Sequence, residues 1–242
     1  MMTLLFTELI YLSMISSPDN PDFSTLLTSN DAATLLKRLH ELETVPDKNL
    51  DGIQSLATVA KLNNNIEQAL TDWLISLFNT LFSEQRVELV RGEQEPEYFP
   101  ARGDQPARIE FAHGFFASAL HELSHWCVAG EERRSLSDFG YWYAPDGRTA
   151  AQQQEFERVE IKPQAIECLF TLACGRPFQV SQDNLFADFD TSGSTFASDV
   201  YQQASEYIAK PDRLPRDAKT LLQALLTIHI HNTNSKFYQP AL

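Results

Sequence analysis

The sequence predicts an α+β protein in which a few short strands precede most of the helices. Two observations carry this expectation. Apolar residues recur at three- and four-residue steps over several long stretches, as they do on amphipathic helices. Short β-favouring stretches lie together between residues 87 and 112 and do not alternate with helices. Grouped strands of this kind favour α+β over a doubly wound parallel sheet.

Residues 1–64 read as an N-terminal helical extension with no visible chemistry, and residues 65–242 as the main domain. Asp31 to Leu42 has Leu35, Leu36, Leu39 and Leu42 on one helical face, with Asn30 or Asp31 as cap. Val45 to Gly52 is rich in turn residues. A second short helix is expected from Ile53 to Leu62, closed by Asn63-Asn64-Asn65. In the main domain, Leu70, Trp73, Leu74, Leu77 and Leu81 predict a helix from Ile66 to Phe82. Val87 to Val90, Tyr98 to Ala101 and Arg108 to Ala112 read as strands. The helix after them runs from Phe115, and Gly130 is its expected stop. Pro145-Asp146-Gly147 is a turn. Phe156, Val159, Pro163, Ile166, Phe170 and Ala173 form the stripe of a long helix from Gln152 to Cys174, which Pro163 either kinks or restarts. Ser198 to Ala209 and Lys219 to His229 are the last two helices.

The chain has 242 residues and a net charge of −14. That charge argues against nucleic-acid binding, which depends on lysine and arginine neutralising phosphates. Three cysteines, Cys127, Cys168 and Cys174, are an odd, small number that fits a reducing compartment. The apolar stretch from Met1 to Ile10 contains Glu8, lacks a basic flank and is too short to span a bilayer. A soluble cytoplasmic protein with no membrane partner is expected.

The chemistry concentrates in His121-Glu122-Leu123-Ser124-His125. Histidines four apart on a helix project from one face, one turn above each other. Both imidazoles then reach a single metal ion. Two ligands are too few for a catalytic metal, and a carboxylate is the usual third. Glu155, Glu157, Glu160 and Glu167 lie on the second long helix. Glu160 and Glu167 border its apolar stripe, whereas Glu155 and Glu157 lie farther from it. A carboxylate drawn toward a core is costly unless a cation compensates it. Glu160 is therefore favoured as the third ligand, and Glu167 comes second. Cys127 follows His125 by two residues, about 200° around the helix, so it is a poor fourth ligand.

Longer strings carry a resemblance. Phe111-Ala-His-Gly-Phe115, His121-Glu-Leu-Ser-His-Trp-Cys127, Asp138-Phe-Gly-Tyr-Trp-Tyr143 with Pro145-Asp-Gly-Arg148, Val159-Glu-Ile-Lys-Pro-Gln-Ala165, Cys174-Gly-Arg-Pro-Phe178 and Ser181-Gln-Asp-Asn-Leu185 resemble the elongation factor P hydroxylase family. The resemblance covers roughly residues 66 to 210, in consistent order. It implies hydroxylation of the lysine of elongation factor P that already carries a β-lysyl group, by a non-haem metal held by two histidines and a carboxylate. It further implies Fe(II), with zinc or manganese as other possible metals, dioxygen as co-substrate, and β-lysylated elongation factor P as partner. The implied fold is metalloprotease-like (zincin-like), with the histidine helix packed near a small sheet. Carried over, His121 and His125 match the histidine ligands and Glu160 the glutamate of the Val-Glu-x-Lys-Pro-Gln string.

On this reading Glu122 has a catalytic or substrate-orienting place beside the metal. Asp138, Tyr141, Tyr143 and Arg148 are candidates for substrate binding, with core packing as the alternative for the aromatics. A lysine carrying two ammonium groups suits an acidic pocket. The competing reading is a zinc peptidase with His121, His125 and Glu160 as ligands and Glu122 as general base. Gly130 lies five residues after His125, and no third histidine follows at the metzincin spacing, so only a gluzincin-like arrangement remains. A third reading, a structural metal without catalysis, needs a fourth ligand from Cys127 or His113.

Overall fold

A computed structural model describes residues 56–141, 147–174, 176–184, 188–189 and 193–236. Helix side chains are described from residue 67 to Leu226, and again at Ile228. The predicted helix over Asp31–Leu42 and the break over Val45–Gly52 lie outside these residues. The described residues comprise five α-helices and one three-stranded sheet, an α+β architecture, as expected. They fall into two compact units, one ending before residue 143 and one beginning after Trp142.

In the first unit, helix α1 (Leu56–Leu81) precedes strands β1 (Val87–Arg91), β2 (Glu97–Phe99) and β3 (Ala107–Phe111), and helix α2 (Phe116–Arg133) follows. Helix α1 is continuous through Asn63-Asn64-Asn65, where a break was expected. Asparagine costs a helix only a few tenths of a kcal/mol relative to better formers, roughly, and neither glycine nor proline lies nearby to stop it. Leu74, Leu77, Phe78 and Phe82 are buried, while Leu70 from the same predicted stripe is exposed.

The sheet has the order β1-β3-β2. β1 runs parallel to β3, with Leu89 opposite Ile109, and β2 runs antiparallel, with Tyr98 opposite Ile109. Its buried positions Val87, Leu89, Ala107, Ile109 and Phe111 show the period-two pattern of strands with one covered face. The Asn79 side chain seals β1, donating to the Leu89 carbonyl at 3.3 Å and accepting from the Leu89 N–H at 2.7 Å. This occupies backbone groups that an edge strand otherwise exposes.

Helix α2 packs on β3 and α1. Phe78, Phe82 and Trp126 meet there, with ring centroids 4.8 to 5.1 Å apart. Edge-to-face contacts of this kind add about 0.5–1.5 kcal/mol per pair beyond area burial. Gly130 takes a positive φ of 68°, but a further helical turn continues to Arg133. The predicted stop is thus a kink.

In the second unit, helix α3 (Ala150–Ala173) packs against α4 (Phe196–Ala209) and α5 (Arg216–Lys236). A capping box starts α3: the Thr149 hydroxyl accepts from the Gln152 N–H, and the Gln152 side chain accepts from the Thr149 N–H. Two orphan donors of the first turn are so satisfied. Pro163 lies inside one uninterrupted helix and is buried. Ala165, Ile166, Leu169 and Phe170 pack with the unit's apolar core, to which Val200, Ala204, Ala218, Leu221, Leu222 and Leu225 belong. No helix among the described residues is long and apolar enough to cross a membrane.

Candidate metal centre

Helix α2 carries both histidines. Its N-terminus has no cap from Phe115; the Phe116 N–H instead donates to Glu67 Oε1 on α1 at 3.1 Å. A carboxylate there satisfies an orphan amide and complements the positive end of the helix dipole. Leu120, Leu123, Trp126 and Cys127 are buried on the same helix, which fixes its rotation. His125 is 6% exposed and His121 half-buried.

The two rings are T-shaped at 4.7 Å between centroids, and His121 Nε2 lies 3.1 Å from His125 Nε2. Two nitrogens each about 2.1 Å from one ion would be about 3.0 Å apart at a right angle and about 3.4 Å apart at the tetrahedral angle. The observed separation suits a shared ion. It is equally compatible with an N–H of one imidazole donating to a nitrogen of the other.

On α3, Glu160 is 1% exposed. Glu155 is exposed and pairs with Arg158 at 2.7 Å, whereas Glu157 accepts from Ser194 Oγ at 2.9 Å. Glu167 is half-buried. Among the described residues, His121, His125 and Glu160 are the ones whose chemistry could hold a metal ion, with one ligand atom each. Two imidazole nitrogens and a carboxylate oxygen are a donor set that suits iron, zinc or manganese.

Glu122 is half-buried beside His121. Asp138 sits in a left-handed turn, φ 47°, and its Oδ1 accepts from the Tyr98 N–H at 3.0 Å. Phe139 and Gly140 continue this turn with positive φ, and Phe139 stacks on Tyr98 at 4.1 Å. Tyr141 is half-buried, and the Arg133 guanidinium lies 4.2 Å from its ring centroid. Tyr143 lies outside the described residues. Arg148 is 2% exposed. It stacks 3.9 Å over Phe156 and donates to Gln153 Oε1 at 3.0 Å and to the Asp183 carbonyl. Asp138 and Arg148 are thus both engaged in holding their own loops. His113 is exposed, at φ 54° in a 3-10 turn. Cys127 is a buried core residue.

Burial pushes the Cys168 thiol up to about 12, with Glu167 adding to the rise. Cys174 is pushed to about 12 by burial, against a small opposing pull from Arg176. Both are free and stay protonated at neutral pH.

Three polar residues that support α2 and α3 were not anticipated from the sequence. Glu67 seats the start of α2. Gln153 and Gln164, 2% exposed each, line the buried face of α3 with Glu160. A signal existed for the glutamines: they continue the helical face of Glu160 at i−7 and i+4, where buried polar residues need internal partners.

The fold and the side chains define an α+β protein with a His-Glu-x-x-His helix beside a small sheet and a buried glutamate on a second long helix. A family model described as elongation factor P hydroxylase matches residues 77–238. A protein of Haemophilus influenzae (strain ATCC 51907 / DSM 11121 / KW20 / Rd) named elongation factor P lysine hydroxylase is 46% identical over 168 residues, 68% of this chain and 91% of that relative. The chain belongs to the elongation factor P hydroxylase family.

Proposed function

We propose that this protein hydroxylates the β-lysyl-modified lysine of elongation factor P, at a metal held by His121, His125 and Glu160. The observation that carries the reading is the 3.1 Å approach of the two Nε2 atoms, together with a buried carboxylate at Glu160 elsewhere in a chain of the hydroxylase family. Fe(II) is the metal we favour and dioxygen the co-substrate, in a monooxygenase-type reaction. His121, His125 and Glu160 would hold the iron, which when bound would supply the oxygen activation that no amino-acid side chain provides.

The chain's own residues bind and orient. The apolar neighbours of α2 hold the imidazoles on one face, and α3 holds the carboxylate. Glu122, one residue from His121, is assigned the substrate's ammonium groups or a bound water. Tyr141 keeps a substrate-side place, as does Tyr143 on sequence grounds. Asp138 and Arg148 contribute by fixing the turn at Tyr98 and the loop at Asp183. The packing of the histidine helix on β3 supports a zincin-like arrangement. Residues 1–64 stay assigned to an extension apart from this chemistry. The net charge of −14 supports a cationic substrate loop and no nucleic-acid partner. The protein then works in the cytoplasm with its translation factor.

The test is the mass of the modified-lysine peptide of elongation factor P from cells carrying this protein or its His121→Ala variant. One oxygen atom fewer in the variant is the expected result. An identical peptide that lacks the oxygen in both strains sinks the proposal. Glu122→Gln separates hydroxylase from peptidase chemistry. A peptidase loses nearly all turnover when its general base goes, whereas here hydroxylation is expected to fall by no more than about tenfold, since no base is needed to activate metal-bound water.

A further inference from the structure

Gln164 lies one helical turn after Glu160 on α3 and is 2% exposed. Three of the four hydrogen-bonding directions of its side-chain amide are taken. Oε1 accepts from the Ser181 N–H at 3.0 Å, and Nε2 donates to the Ser181 carbonyl at 2.8 Å. The second hydrogen on Nε2 reaches Glu160 Oε2 at 3.4 Å. An amide paired with one residue's N–H and C=O has a single allowed orientation. Turning it over would set its oxygen against the Ser181 carbonyl and its NH2 against the Ser181 N–H, breaking both bonds. That same flip would put the amide oxygen toward the Glu160 carboxylate. The backbone at Ser181 therefore decides that a donor, and not an acceptor, faces Glu160.

Ser181 is itself held in place. Gln153 Nε2 donates to the Gln182 carbonyl at 2.9 Å, Arg148 donates to the Asp183 carbonyl, and Asn184 Nδ2 donates to the Arg148 carbonyl at 3.2 Å. The segment 181–184 is strapped along α3 by side chains from that helix and from the residue preceding its cap.

We propose that Gln164 is a positioning residue for Glu160: clasped by the Ser181 backbone, it orients the carboxylate for metal binding. The proposal rests on the reading of Glu160 as a ligand. Without the amide, the buried carboxylate loses a donor that holds one of its oxygens and gains rotameric freedom that metal binding must remove. Outer partners of metal ligands typically set affinity by about 10- to 100-fold.

The experiment titrates Co(II), followed by its visible absorption, into metal-free wild type, Gln164→Met, Gln164→Glu, Gln153→Met and His121→Ala, with the melting temperature of each metal-free protein recorded. Gln164→Met is expected to weaken Co(II) binding by about tenfold or more. Gln153→Met breaks the neighbouring strap contact without touching Glu160. It is expected to lower the melting temperature comparably while leaving Co(II) affinity within about twofold, because affinity follows the carboxylate's own partners. Gln164→Glu retains the acceptor for the Ser181 N–H and so covers the case in which Gln164→Met does not fold. It places a carboxylate where the donor stood, and its Co(II) affinity is also expected to fall by about tenfold. Co(II) affinity unchanged in the folded Gln164 variants, or weakened as much by Gln153→Met, overturns the positioning role while leaving the metal centre intact. Co(II) bound as well by His121→Ala as by wild type, or not bound by wild type, overturns the metal centre and this proposal with it.

Discussion

Helix α2 is anchored by apolar side chains on the faces turned away from its two histidines: Leu120, Leu123, Trp126 and Cys127 are each no more than 2% exposed. Helix α3 buries Glu160 between Gln153 and Gln164, and both amides are occupied by the backbone of residues 181 and 182. The histidines are thus held by shape, and the glutamate has a hydrogen-bond donor in the Gln164 amide. Neutral imidazoles tolerate an apolar setting, whereas an ionised carboxylate there needs donors or a cation to offset its desolvation. The difference predicts separate modes of failure: α2 is sensitive to lost volume, α3 to lost polar partners.

The largest effect sharpens the comparison at the ligands themselves. His125→Ala and Glu160→Ala should each reduce metal binding by more than the roughly 10- to 100-fold that outer partners cost. They should differ in the metal-free state. Removing Glu160 relieves a buried carboxylate and should leave the metal-free melting temperature unchanged or higher, while removing His125 opens a gap in a packed helix and should lower it. A calorimetric scan of both metal-free variants reads this out, and a higher melting temperature for His125→Ala than for Glu160→Ala breaks the comparison.

Next comes the packing of α2 alone. Leu123, midway between the two histidines in sequence and on the opposite face of the helix, is fully buried, so Leu123→Ala should cost about 2–5 kcal/mol of stability through lost transfer energy and a residual cavity. Urea unfolding of the metal-free protein measures it. A cost under about 1 kcal/mol would mean that shape does not hold the histidines, since a well-packed core does not close over a missing leucine so cheaply.

The smallest effect belongs to the thiols of the α3 end. Cys168 and Cys174 titrate near 9 in the unfolded chain and near 12 when folded. Above pH 9 the unfolded state binds fewer protons than the folded one, so stability falls as pH rises from about 9 toward 12. The urea midpoint should therefore drop between pH 8 and pH 10, and the drop should shrink in the Cys168→Ser, Cys174→Ser double variant. An equal drop in both proteins removes the thiols as its cause.

How much was readable in advance follows the same division. The motif His121-Glu-x-x-His125 and the stripe around it were legible because side-chain direction on a helix is set by local geometry. Glu160 was legible as a buried carboxylate from its place at the border of an apolar stripe. The Asn63-Asn64-Asn65 break misled because weak local propensity yields to a helix that continues on both sides. Gly130 misled less, since its positive φ is real and only the extra turn after it was unforeseen. The roles of Asp138 and Arg148 could not be read, because their partners, the Tyr98 N–H and the Asp183 carbonyl, lie 40 and 35 residues away in the sequence.

The sequence by itself determined the α+β class, the helical facing of His121 and His125, and the family. All of these depend on periodicity, on neighbours within one turn, or on strings long enough to be specific. The tertiary structure alone decided that Glu67 caps α2, that Asn79 seals β1, and that Gln164 meets Ser181 and turns a donor toward Glu160. Those contacts join residues 10 to 49 apart, apart from the one turn between Gln164 and Glu160. A polar side chain's partner is set by where the packed chain brings a matching donor or acceptor, and local sequence does not encode that position.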